Sequence, residues 1–131
     1  LCSVLEYKAD LGVRLRRAYK SGDRKTVSAI ANSECPEIIA RIDVFIGTLR
    51  RQWMDEYKPY GFEVQEIRLG GLKERIKGVA ARLNDWADGK ADAIPELQEE
   101  ILPAFEGREP GEGVCFNSWS MEATVNRVCW Q

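Results

Sequence analysis

Between Ser3 and Lys20 the apolar residues Leu5, Leu11, Leu15, Ala18 and Tyr19 return at offsets that keep one stripe of a helix, and Gly22 is placed to end it. The spacing predicts a first helix of about four to five turns. Asp23 can accept hydrogen bonds from the free amides of a following first turn, so a short second helix is predicted through Val27, Ile30 and Ala31, ending near Asn32 or Ser33. Pro36 suits the first turn of a third helix, where its missing amide hydrogen costs little, and Glu37 lies near the positive end of the dipole. Ile38, Ile42, Phe45, Leu49, Trp53 and Tyr57 then step by three or four, the strongest helical pattern in the chain.

Pro59 and Gly61 break that pattern, because proline disfavours helical geometry in the residue before it and glycine permits a sharp reversal. Beyond the break, Val64, Ile67, Leu72, Ile76, Val79, Leu83 and Trp86 predict a fourth, long helix, ended by Asp88, Gly89 and Lys90 and antiparallel to the third. Gly70 and Gly71 interrupt it at a cost of roughly 2 kcal/mol relative to alanine, so a close backbone approach or a kink is expected there. Pro95 opens a short helix through Leu97, Ile101 and Leu102, stopped by Pro103. Residues 104–117 lose all periodicity and gain glycine, proline and acid, as a loop does. In the tail SWSMEATVNRVCWQ, strand and short helix fit almost equally. The expected fold is all-α: a bundle of three longer and two shorter helices over residues 1–103, with an irregular tail at 104–131 that packs on the bundle or on another domain. Because Leu1 opens directly into a helical pattern, the chain is expected to be part of a longer one.

At 131 residues, the chain can bury one core. With 44% hydrophobic and 31% charged residues, its composition is that of a globular protein rather than a disordered one. No apolar run approaches the roughly 20 residues of a spanning helix, and LCSVLEYKAD is too charged for a signal peptide, so no membrane partner is expected. A formal charge of −2 argues against nucleic acid, and Arg14, Arg16, Arg17 and Lys20 read as a solvated helix face. Cys2, Cys35, Cys115 and Cys129 are scattered without a CxxC pair. That spacing favours reduced, mostly buried thiols and the cytoplasm over a disulfide framework or a zinc site.

The chain contains no histidine, which excludes Ser-His-Asp and Cys-His nucleophile systems, histidine-bearing zinc and di-iron sites, and histidine-held haem. No cofactor is expected. The carboxylate pairs Asp55–Glu56 and Glu63–Glu66 raise the question of a paired-acid hydrolase, but their spacing is ordinary for a charged helix, with Asp55 one turn from Arg51. RLGGLKER lacks the GKS or GKT ending of a phosphate loop. Arg68, beside Ile67 and Leu69, could join a carboxylate across a domain interface. Trp53 and Trp86 read as core residues, and Trp119 and Trp130 as interface anchors in the tail.

The string WMDEYKPYGFEVQEIRLGGLKERI, preceded by LEYKADLGVRLRRAYKSGDR and followed by RLNDWADGK, resembles the helical C-terminal domain of a bacterial subgroup of glycoside hydrolase family 20, the exo-acting β-N-acetylhexosaminidases. The likeness runs from Leu5 to the tail segments NSW and ATVNRV. It implies a parent protein with a (β/α)8 catalytic barrel, absent here, whose adjacent Asp-Glu pair performs substrate-assisted hydrolysis. None of that machinery maps onto this chain, and Asp55 and Glu56 lie on a helix rather than at a barrel strand end. The resemblance therefore implies an accessory domain without hydrolase activity of its own, partnered by the barrel of the same polypeptide and by a second copy in a homodimer. The expected interface residues are Trp53, Tyr57, Tyr60, Phe62, Arg68, Gly70, Gly71 and Trp119. A free-standing helical module that binds a partner protein is the alternative.

Overall fold

The computed structural model describes residues 1–100. They form, in order, α1 (Cys2–Lys8), α2 (Leu11–Lys20), α3 (Arg24–Ala29), a π-helical turn (Ile30–Glu34), α4 (Cys35–Glu56), α5 (Phe62–Ala87) and α6 (Pro95–Gln98). The all-α architecture is as the periodicity predicts, with no strand among the described residues. The predicted tail, and the Ile101–Pro103 end of the last predicted helix, lie outside the described residues.

Two boundaries differ from the sequence reading. The single first helix is in fact two, parted at Ala9 and Asp10, where Asp10 leaves helical geometry (φ −107°, ψ 1°). The break lets α1 lie against α4 through buried Val4 while α2 buries Leu15, Ala18 and Tyr19, and it turns Leu5 outward. The second correction concerns Asn32 and Ser33, which do not end a helix. The backbone passes from α3 to α4 through the π-helical turn, and Pro36 falls in the first turn of α4. A proline clashes with the carbonyl four residues back and cannot donate to it, a conflict that the wider π turn relieves without ending the helix.

Asp23 caps α3 as expected, its carboxylate accepting from the Thr26 amide at 3.0 Å and the Thr26 hydroxyl at 2.6 Å. These bonds hold its carboxyl below the usual carboxylate range. Gly22, at φ +72°, reverses the chain after α2. One core joins all the helices, with Val27, Ile30, Ile38, Ile42 and Leu83 nearly or fully buried at its centre.

Polar contacts fix the packing around that core. Arg14 of α2 grips Glu34 of the π turn with both terminal nitrogens, at 2.9 and 2.6 Å, and its Nε donates to Asp10. Glu34 first, then Asp10, raise the Arg14 pKa above its already high ordinary value. Arg16 donates to the Leu97 and Glu96 carbonyls and so ties α2 to α6. The basic cluster is thus partly internal: Arg14 and Arg16 bind the fold, whereas the sequence suggested a wholly solvated face. On α4, Arg41 donates to Glu37, Glu6 and the Ser3 carbonyl, with its guanidinium 4.2 Å from the centre of the Tyr7 ring.

Candidate functional site

The reversal between α4 and α5 is built from aromatic rings and one obligatory glycine. α4 ends at Glu56, and Tyr57 is extended. Trp53 lies 5.2 Å from the Tyr57 ring and 5.8 Å from the Phe62 ring, and its Nε1 donates to the Lys58 carbonyl at 2.9 Å. Gly61 takes φ +94°, and its amide donates to the Glu63 carboxylate at 2.8 Å. Phe62 is buried, with the Arg50 guanidinium 5.6 Å from its ring centre. Of the four aromatics expected to shape the reversal, Trp53 packs with both Tyr57 and Phe62. Tyr60 does not join them and is 89% exposed.

A Cβ at Gly61 would meet Trp53 at 3.6 Å, an ordinary contact, so space does not dictate glycine there; the backbone angle does. Gly61→Ala should therefore cost about 1–2 kcal/mol, the penalty of a left-handed conformation for an L residue. Urea unfolding followed by circular dichroism checks this, with the midpoint falling at unchanged slope.

The two long helices pair through Lys73–Asp43 and Arg50–Glu66 ion pairs. Asp43 follows buried Ile42 and Lys73 follows Leu72, which packs against the core; Arg50 and Glu66 follow the half-buried Leu49 and Gln65. The ion pairs thus mark the seam, with the core below it. Positions about half a turn from the core share the opposite, outer side of the hairpin. On α4 these include Val44, 72% exposed, with Gly47 and Arg51; on α5 they include Ile67, 53% exposed, with Gly71 and Gly78.

This placement corrects two expectations. Ile67 and Val79, read as part of the buried stripe of α5, are exposed. No close approach accounts for the glycine pair, since no described atom lies within 4 Å of a Cβ built at Gly70 or Gly71. α5 nevertheless runs helical through both glycines, from Phe62 to Ala87. The same open space surrounds Gly47 and Gly78. Each helical glycine costs about 1 kcal/mol against alanine, and the described residues make no contact that offsets it.

Arg68 has no ion pair among the described residues, and Asp55 does not pair with Arg51, whose guanidinium donates only to the Thr48 hydroxyl, at 3.3 Å. Asp55 and Glu56 are both exposed on α4. Trp119 lies outside the described residues. Cys35 is buried, and burial with the nearby Glu34 charge pushes its thiol pKa up, whereas Cys2 is exposed against expectation. No described group of His, Cys, Asp and Glu side chains could hold a metal ion. No described helix is long and apolar enough to cross a membrane.

Sequence reasoning missed the group that ties the two ends of the described bundle together. Arg24 at the start of α3 donates to the Trp86 carbonyl at 2.6 Å and lies 4.9 Å above the Trp86 ring, closing the C-terminal end of α5. Trp86 packs on Tyr19 at 4.7 Å, and the Tyr19 hydroxyl accepts from the buried Ile94 amide at 2.9 Å. Asn32 and Asn84 exchange amide hydrogen bonds at 2.8 and 2.9 Å, joining the π turn to α5. Pairs 52 to 75 residues apart have no local signal. Beside Trp86 a shallow depression of about 480 Å³ is lined by Tyr19, Lys20, Leu97 and Gln98. Both of its aromatic rings belong to residues less than a tenth exposed, so they offer a ligand little surface.

The described residues thus present an aromatic reversal beside a hairpin face with exposed Val44 and Ile67, without a cleft that gathers acids. Over residues 1–115 the chain matches the model of the glycoside hydrolase 20C C-terminal domain. It belongs to that family. The domain is therefore the C-terminal domain of a family 20 glycoside hydrolase, and the motif around the α4–α5 reversal lies inside the matched region. No curated protein matches it.

Proposed function

We propose that the domain is a non-catalytic accessory part of a bacterial, cytoplasmic exo-β-N-acetylhexosaminidase, supporting the catalytic barrel of the same polypeptide. The family match over residues 1–115 carries this reading. The chain's own chemistry supports it: there is no histidine, and the adjacent acids Asp55 and Glu56 project from an exposed helix face open to water. A glycosidase acid needs a shielded site that keeps its proton at neutral pH. The thiols of Cys2 and Cys35 are free, as a reducing compartment would leave them.

Deleting the domain from the parent hydrolase tests the supporting role. The expected result is a barrel with a lower thermal midpoint that still turns over substrate when folded. A truncated barrel that keeps its circular dichroism spectrum and midpoint but loses all turnover would show that the domain supplies a catalytic group.

A further inference from the structure

We infer that residues 92–98, which carry α6, form a strap that opens while the rest of the bundle stays folded, and that its opening uncovers the Tyr19 and Trp86 rings. The inference concerns the fold itself and does not rest on the accessory reading above.

The strap has little stability of its own. α6 is one turn of four residues, far too short for a helix to persist on its own hydrogen bonds. Asp92, Pro95, Glu96 and Gln98 are exposed, and the apolar attachment to the core comes from buried Ile94 and half-buried Leu97. Its near end is fixed, because the Lys90 and Ala91 amides both donate to the Asp85 carbonyl, at 2.8 and 3.0 Å, and hold the chain to α5 as far as Ala91.

From there on, polar ties to two other helices keep the strap closed. Arg16 of α2 donates to the Glu96 and Leu97 carbonyls at 3.1 and 3.3 Å. Arg82 of α5 donates to both Glu96 carboxylate oxygens, at 2.5 and 2.7 Å, but both side chains of this pair are more than half exposed, where such a pair contributes little. The one buried tie is the Ile94 amide donating to the Tyr19 hydroxyl at 2.9 Å.

The surface beneath is supported without the strap. Tyr19 and Trp86 pack on each other at 4.7 Å, and Arg24 grips Trp86 from α3. Leu97 and Gln98 of the strap form part of the wall of the depression beside Trp86, so lifting the strap widens that depression and exposes rings that are less than a tenth exposed when it is closed.

Native-state hydrogen exchange of the 131-residue chain, followed in urea below the unfolding transition, tests this. The Ile94 amide should exchange at least tenfold faster than the Ile42 and Leu83 amides, at a rate nearly independent of urea, whereas those core amides accelerate steeply. Tyr19→Phe keeps the ring and removes the acceptor, so Ile94 exchange should rise roughly tenfold with its shallow urea dependence unchanged. Arg16→Ala, which leaves the buried side chains in place, should act in the same direction. An Ile94 amide that follows the urea dependence of Ile42 and Leu83 would overturn the strap, since it would then open only with the whole fold. Exchange of the Trp86 and Ala87 amides in step with Ile94 would also overturn it, in favour of fraying at the end of α5, as would an Ile94 rate that neither substitution changes.

Discussion

Trp86→Ala should lower the stability of the domain by about 3–5 kcal/mol, enough to leave much of the chain unfolded at moderate temperature. Trp86 is 6% exposed and holds three elements at once: its ring packs on Tyr19 of α2, lies under the Arg24 guanidinium of α3, and closes α5. The Arg24 hydrogen bond goes to the Trp86 backbone carbonyl, which alanine retains. The loss should thus come from the ring's cavity and the cation–π contact, not from the cap. Trp86→Phe keeps an aromatic partner for Tyr19 and should lose clearly less. Urea denaturation of the three proteins measures the order, and an alanine variant within about 1 kcal/mol of the starting chain would show that the α2–α3–α5 junction is not where stability resides.

The second large effect is expected at Ile38. This side chain is completely buried in the middle of the core, and Ile38→Ala should cost about 2–5 kcal/mol, with Ile38→Val costing about 0.5–1.5 kcal/mol. Val44, less than two turns further along the same helix, is 72% exposed, and Val44→Ala should change stability by no more than about 0.5 kcal/mol. Thermal unfolding of the pair distinguishes the inner from the outer face of α4. Equal losses at both positions would contradict the assignment of the two faces.

The contrast between Ile38 and Val44 also shows how far the sequence could be read. Helical periodicity found α4, because 22 residues of apolar spacing outweigh any local ambiguity, and Asp23 and Gly22 announced the turn into α3 through their own backbone preferences. Periodicity failed on α5, where Val64, Ile67 and Val79 sit among the core positions without belonging to one stripe. An apolar residue facing a further partner looks the same in sequence as one facing the core. It failed again at Asn32–Ser33, since a π turn keeps the chain helical through residues that usually stop a helix.

At the candidate site, composition drew attention to Trp53, Tyr57, Tyr60 and Phe62, and the structure joins three of them. The spacing suggested neither the isolation of Tyr60 nor the open space around Gly70 and Gly71. Arg68 has no ion pair among the described residues, and no carboxylate stands one turn away from it on α5. The Arg24–Trp86 clamp and the Asn32–Asn84 pair depend on residues brought together only by the fold, 62 and 52 positions apart.

Hydrolysis of an aryl N-acetyl-β-glucosaminide, measured side by side on the 131-residue chain and on the parent polypeptide that carries it, tests the central claim most directly. The account predicts turnover by the parent and none by the chain at equal molar concentration. Turnover by the chain itself, lost when Asp55 or Glu56 is replaced by its amide, would contradict it.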